Sequence, residues 1–279
     1  MSPNIKDHQE DGVQAHSGGR FRRRSKALRR ITGLVGLVLA LAVLGVGYSA
    51  FAPTGNSAAA GPVDAETIAH GKSLFDTSCI SCHGANLEGV DGKGPSLIGA
   101  GQAAVYFQLA TGRMPAKANG AQMPRAIPVF DQKGIDAIAA YVQSMGGGAQ
   151  LPGSIDIANA DLAKGAELYR LNCASCHNFT GKGGALSQGK YAPPLNQATN
   201  TEIYAAMLSG PENMPTFSDA QLTPTEKLDI IKYVRASNDT ISPGGYDLGG
   251  FGPAPEGLIA FLVGMGVIVS ITLWSGSRS

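Results

Sequence analysis

Two pentads of one pattern, Cys79-Ile80-Ser81-Cys82-His83 and Cys173-Ala174-Ser175-Cys176-His177, lie 94 residues apart and use every cysteine in the chain. Two disulfides would account for four cysteines outside the cytoplasm, but not for a histidine directly after each pair. A zinc site has suitable ligands in thiolates and imidazoles, yet structural zinc sites combine two nearby ligand pairs. Here each copy has one pair and one adjacent histidine. The pattern instead matches covalent heme attachment: two thiols add across the two vinyl groups of one porphyrin, and the following histidine meets the iron. Two covalently bound heme c groups are therefore expected, on Cys79, Cys82, Cys173 and Cys176, with His83 and His177 as iron ligands.

Two uncharged apolar runs bracket the pentads. Ile31 to Phe51 is 21 residues long, enough to cross a hydrocarbon core of ~30 Å. Ahead of it, Arg20, Arg22, Arg23, Arg24, Lys26, Arg29 and Arg30 mark the cytoplasmic flank. A cleaved leader is the rival reading, since Ala58-Ala59-Ala60 resembles a cleavage site, but the run exceeds the ~7 to 15 residues of a secretory core segment. Gly257 to Trp274 is a second run of 18 residues, short but able to span near the membrane normal. Two spans return the chain to its starting side, leaving the pentads on the extracytoplasmic face of a cell membrane.

The net charge of +1 hides an asymmetry: residues 1–30 carry +5, residues 53–256 carry −5, and Arg278 adds +1. The acidic middle section suits steering of a basic partner face, and nothing in it calls for nucleic acid.

The region between the runs is a repeat. Gly71 and Gly165 each stand eight residues before the first cysteine of a pentad, and Phe75 and Tyr169 each four before it. That spacing puts glycine and aromatic on one helical face. Each pentad precedes a glycine-rich loop, then a proline turn, Gly94-Pro95-Ser96-Leu97 or Ala192-Pro193-Pro194-Leu195, and later a Met-Pro pair. Each copy closes on an amphipathic helix, with Ile135, Ile138 and Val142, or Leu228, Ile231 and Val234, as its apolar stripe. The missing side chain at Gly71 or Gly165 lets the first and last helices cross closely. The expected architecture is all-α: a basic tail over 1–30, a transmembrane helix over 31–52, a linker over 53–64, one domain over 65–147, a linker over 148–159, a second domain over 160–240, a Gly/Pro-rich linker over 241–256, a transmembrane helix over 257–274 and a cytoplasmic end over 275–279. Tyr246 and Phe251, in the last linker, are sizeable aromatics that would suit a docking surface.

Each iron needs a sixth ligand or an open face. Histidine is scarce: His8 and His16 are in the tail, and His70, on the helix entering the first pentad, reads as a surface residue. Thioether sulfur remains. In the second copy Met214 is well placed, with Met207 a weaker candidate in a helix-like run. In the first copy Met114 and Met123 compete. Counted forward from Leu97, Met114 fits the spacing of Leu195 to Met214; counted back from Tyr141, Met123 fits that of Met214 to Tyr233. Met114 is preferred. His/Met ligation fills both axial sites and raises the reduction potential relative to His/His, so electron transfer is expected and no catalytic residue is assigned.

The modules resemble class I cytochrome c domains. The whole arrangement, with its basic tail, two anchors, both pentads, Thr111-Gly112-Arg113-Met114-Pro115 and Asn213-Met214-Pro215, resembles the diheme cytochrome c subunit of the actinobacterial quinol–cytochrome c reductase, the cytochrome bcc complex. The resemblance implies that electrons pass from a Rieske iron–sulfur subunit through both hemes to an attached terminal cytochrome c oxidase. It also implies quinol oxidation on the cytochrome b and Rieske subunits, and Met114 as ligand. A diheme peroxidase, or a diheme subunit of an oxidase or membrane dehydrogenase, is the alternative; a peroxidase requires one iron open to peroxide.

Overall fold

The computed structural model describes residues 19–51, 63–118, 120, 122–239, 248–250 and 253–278. His8, His16, the Ala58–Ala60 triplet, Tyr246 and Phe251 lie outside the described residues, as does most of the linkers expected at 53–64 and 241–256. The chain divides into two compact units, Met1–Thr54 and Gly55–Ser279.

The first unit contains α1 (Gly19–Phe51). It begins well before the apolar run because Arg, Lys, Ala and Leu are good helix formers and no proline interrupts the basic stretch. Its apolar part, Arg30–Gly47, has a mean hydropathy of 2.1 and none of its residues is buried against protein. A helix that apolar on every side suits an apolar medium.

The second unit opens with α2 (Ala65–Ser78), whose N-cap Asp64 accepts hydrogen bonds from Thr67 N at 2.7 Å and Thr67 Oγ1 at 2.9 Å. The short α3 (Ile80–His83), α4 (Gly101–Ala110) and α5 (Gln132–Ser144) follow. The second copy repeats the order with α6 (Leu162–Asn172), α7 (Ala174–His177), α8 (Asn200–Ser209) and α9 (Pro224–Asp239). It adds one minimal antiparallel ribbon, β1 (Gly184–Ala185) with β2 (Tyr191–Ala192), in which Gly184 faces Ala192.

The expected helix crossing is present in both copies. A Cβ on Gly71 would stand 1.9 Å from Ala137 O, and one on Gly165 would stand 1.9 Å from Asp229 O. Only glycine permits α2 to meet α5, and α6 to meet α9, at that distance. The aromatic four residues on completes each crossing: Phe75 packs on Tyr141 with ring centroids 5.5 Å apart, and Tyr169 on Tyr233 at 5.0 Å.

The closing stripe differs from expectation in the second copy. Ile135, Ile138 and Val142 are all buried, as are Ile231 and Val234, but Leu228 is only half-buried. With Tyr141 and Tyr233 aligned, the place of Ile135 falls to Lys227, which is 0% exposed. Its Nζ donates to Asp219 Oδ1 and Leu222 O, both at 2.7 Å, so the charge is paired and the aliphatic stem serves as core.

The two copies have separate cores that meet on α4. Val105 and Leu109 of α4 join the first cluster, while Ala103 and Phe107, on the other face, join the second with Ile203, Tyr204, Met207 and Ile230. The stretch read as a linker over 148–159 is packed as well. Leu151 is buried in the second cluster, its N donating to Gln102 Oε1, while Ala149 O accepts from Ala103 N.

The unit ends in α10 (Pro253–Gly276). Proline is tolerated in a first turn, so the helix starts earlier than Gly257 and its apolar stretch, Ala254–Gly276, reaches 23 residues at a mean hydropathy of 2.2. Ser270 Oγ and Thr272 Oγ1 donate back to Gly266 O and Val269 O, which leaves neither hydroxyl unsatisfied in an apolar medium. Arg278 stacks on Trp274, 4.4 Å from the ring centroid, an arrangement suited to a membrane interface.

Candidate heme sites

Each pentad is formed by the same local structure. The entering helix ends at the first cysteine, whose N donates to Phe75 O or Tyr169 O, and a single helical turn carries the second cysteine and the histidine. His83 N and His177 N donate to Cys79 O and Cys173 O, closing that turn. The loop then folds back: Gly89 N donates to His83 O, and Gly183 N to His177 O. It passes so close that a Cβ at Gly94 or Gly184 would lie 2.7 Å from the carbonyl oxygen of Cys82 or Cys176.

The proline turns orient the histidines. His83 Nδ1 lies 2.8 Å from Pro95 O, and His177 Nδ1 lies 3.0 Å from Pro193 O. A carbonyl can only accept, so Nδ1 carries a proton, and in the neutral ring Nε2 then holds the lone pair that a metal-ligating imidazole requires. Burial holds His177 below the ordinary imidazole range, with the Pro193 hydrogen bond acting in the opposite sense. Burial likewise pushes the Cys79 thiol up to about 11 and Cys173 up to about 12, so both sulfurs are protonated at neutral pH. No disulfide joins the four cysteines; Cys82 and Cys176 are exposed and the other two half-buried. Among the described residues no three His, Cys, Asp or Glu side chains converge as a metal site would require.

In the second copy these groups line one cavity of about 350 Å³. Cys173, Cys176, His177 and Met214 share its wall with Leu195, Ile203, Phe217, Ile230 and Val234. Two thiols, one imidazole with a free Nε2 and one thioether, set in an apolar lining, match the donor set and the hydrophobic body of a heme. Met207 also borders the cavity but is 2% exposed in the helical core. When Gly112 is aligned with Gly210, it corresponds to the buried Leu109, a packing position.

In the first copy Cys79 and Met114 are half-buried against the cluster that contains Phe75, Leu97 and Val142, and His83 is 9% exposed. Met123 lies elsewhere. Its N donates to Glu212 Oε1 at 2.7 Å, and beside it Gln122 exchanges hydrogen bonds with Tyr191 O and N. His70 is exposed on α2.

Sequence reasoning missed what the first copy contributes to the second cavity: Phe107, Thr111, Arg113, Gln122, Pro124 and Arg125 all line it. Arg125 holds Glu202 through two hydrogen bonds at 2.9 and 3.0 Å, and Glu202 also forms the capping box of α8 with Thr199. Burial lowers Arg113 below the ordinary guanidinium range. The two arginines flanking the Met-Pro pairs were the available signal.

Comparison with known proteins agrees with this geometry. Residues 68–146 match the family model "Cytochrome c", and residues 160–234 match "Cytochrome C oxidase, cbb3-type, subunit III". The "Cytochrome bc1 complex cytochrome c subunit" of Mycobacterium tuberculosis is 53% identical over 268 residues, covering 94% of this chain and 95% of the relative. The protein of the same description from Corynebacterium efficiens is 45% identical and both chains are covered in full. A cbb3-type cytochrome c oxidase subunit CcoP from an Azospirillum species is 32% identical over 47% of each chain.

Proposed function

The chain belongs to the family of the cytochrome bc1 complex cytochrome c subunit, and from that membership we propose that it relays electrons from a Rieske iron–sulfur subunit to a terminal oxidase. It is a diheme cytochrome c of a quinol–cytochrome c reductase, bound to the membrane by its terminal helices. Quinol oxidation belongs to partner subunits, among them a cytochrome b, and the two heme domains face the extracytoplasmic side, opposite the basic stretch that opens α1.

The observation that carries the reading is the paired His Nδ1 to proline carbonyl hydrogen bond, since it aims a lone pair from each pentad. Heme supplies one-electron chemistry at iron. Cys79 and Cys82, and Cys173 and Cys176, would hold the two groups covalently; His83 and His177 would ligate the irons through Nε2. Met114 and Met214 would supply the remaining thioether ligands. Met114 is preferred to Met123 because it packs against the same core as Cys79, whereas the backbone N of Met123 is bound to Glu212 of the other domain. Burial of His83 in the first copy and the apolar lining around His177 in the second limit water at the iron, which favours transfer of electrons over reaction there.

The test is the heme count of the full-length protein in membranes. Mass spectrometry is expected to show two heme additions, and Cys173→Ala to remove one while the other stays. Rapid cyanide binding at either heme of the unmodified protein would defeat the relay and favour a peroxidase.

A further inference from the structure

Arg113 belongs to the first domain by sequence, one residue before Met114, but its side chain lines the second domain's cavity together with Cys173 and His177. The guanidinium lies over the ring of Phe107, 4.9 Å from the centroid, and Phe107 is itself buried in the second core. Its Nη1 is closed off from solvent and has no hydrogen-bond partner among the described residues. An unsatisfied buried donor is destabilising, and more so when charged. Native chains therefore keep such a group where something accepts from it.

The other cations at the cavity are already engaged. Arg125 is held by Glu202, and Lys190 Nζ donates to Asn213 Oδ1 at 3.0 Å. The neighbouring carboxylate, Glu212, accepts from Met123 N. Arg113 is thus the cavity cation with an open donor. A heme is an apolar ring that also carries two carboxylates, and a guanidinium fork is the side chain best shaped to bind one.

We propose that Arg113 of the first domain binds a carboxylate of the heme held by the second domain, so that the second site is completed only by its neighbour. The inference rests on the diheme reading above. Neutralising that carboxylate favours the ferrous state, so Arg113 raises the reduction potential of the second heme and makes it depend on the contact between α4 and α8.

The experiment is a redox titration of the full-length protein in membranes, with Cys173→Ala identifying which midpoint belongs to the second heme. In Arg113→Gln the ferrous-to-ferric ratio of the second heme at fixed ambient potential is expected to fall about tenfold, equal to about 59 mV for one electron. The first heme should move far less. The infrared redox-difference band of the heme carboxylate should shift as well. Arg113→Lys keeps the charge and loses the fork, so most of the potential returns while the infrared shift persists. An unchanged second midpoint with an unchanged carboxylate band overturns the proposal, as does a shift confined to the first heme, which would place the effect in Met114. Should Arg113→Gln fail to accumulate, an unchanged carboxylate band in Arg113→Lys overturns it instead. Fewer than two hemes in the unmodified protein would defeat the diheme reading itself, whatever Arg113 does.

Discussion

Replacing Gly165 with alanine places a methyl group where α9 already is. The added Cβ would lie 1.9 Å from Asp229 O and 2.5 Å from Asp229 C, both backbone atoms that no side-chain rotation can remove. Carbon atoms pack at ~3.5 Å, so α6 and α9 must part by about 1.5 Å. That separation loosens the Tyr169–Tyr233 pair and the 2.7 Å hydrogen bond from Asp161 N to Asp229 Oδ1. Overpacking of this kind costs ~1–3 kcal/mol, and the rigid neighbours place Gly165→Ala at the upper end. Alanine recovers about 1 kcal/mol of helix propensity, which leaves a net loss of about 2 kcal/mol. At ~2–4 °C per kcal/mol for a chain of this size, Tm should fall by about 4–8 °C. Circular dichroism melting of the purified holoprotein in detergent reads this out, with Gly153→Ala as control, because a Cβ there meets nothing within 4 Å. If Gly165→Ala melts at or above the unmodified protein, propensity has prevailed and the close crossing is refuted.

Lys227→Ala should cost about 2–4 kcal/mol through lost packing alone, whereas Lys227→Met, which refills the slot but leaves Leu222 O and Asp219 without their donor, should cost about 1–3 kcal/mol in the same melting assay. Met114→Leu should remove the Met–iron charge-transfer absorption of the first heme and lower its midpoint, while Met123→Leu should change neither; the reverse result would exchange their roles. Hydrogen bonds from Thr67 hold Asp64 below the usual carboxylate range, and those from Thr223 do the same for Glu226. A depressed folded pKa contributes stability above the unfolded pKa that is lost as pH falls through the folded one. Amide exchange in the first turns of α2 and α9 should therefore accelerate below about pH 4, and Asp64→Asn should flatten that dependence for α2 alone.

The amino-acid sequence by itself determined the pentad spacing behind the proposed heme attachment, the repeat, the helix crossings and two apolar helices of spanning length, because each depends on local spacing. Cys-x-x-Cys-His sets the reach to one porphyrin, glycine eight residues ahead marks a close approach, and an uncharged run of spanning length needs no partner to be read. Pro95 and Pro193 each stand two residues before a matched leucine, so their turns were visible, but not the carbonyl oxygens that fix the histidine tautomers. The stripe of Leu228, Ile231 and Val234 does pack on the core, but the part played by Lys227 was missed because periodicity cannot recognise the stem of a lysine whose charge is paired eight residues away at Asp219. Only the tertiary structure decided that α4 is buried on both faces, and that Arg113 and Arg125 reach the second heme site from the first domain. Those contacts join residues far apart in sequence, Arg125 and Glu202 by 77 positions and Phe107 and Ile203 by 96, and their energy comes from burial and ion pairing across a domain boundary that no local pattern encodes.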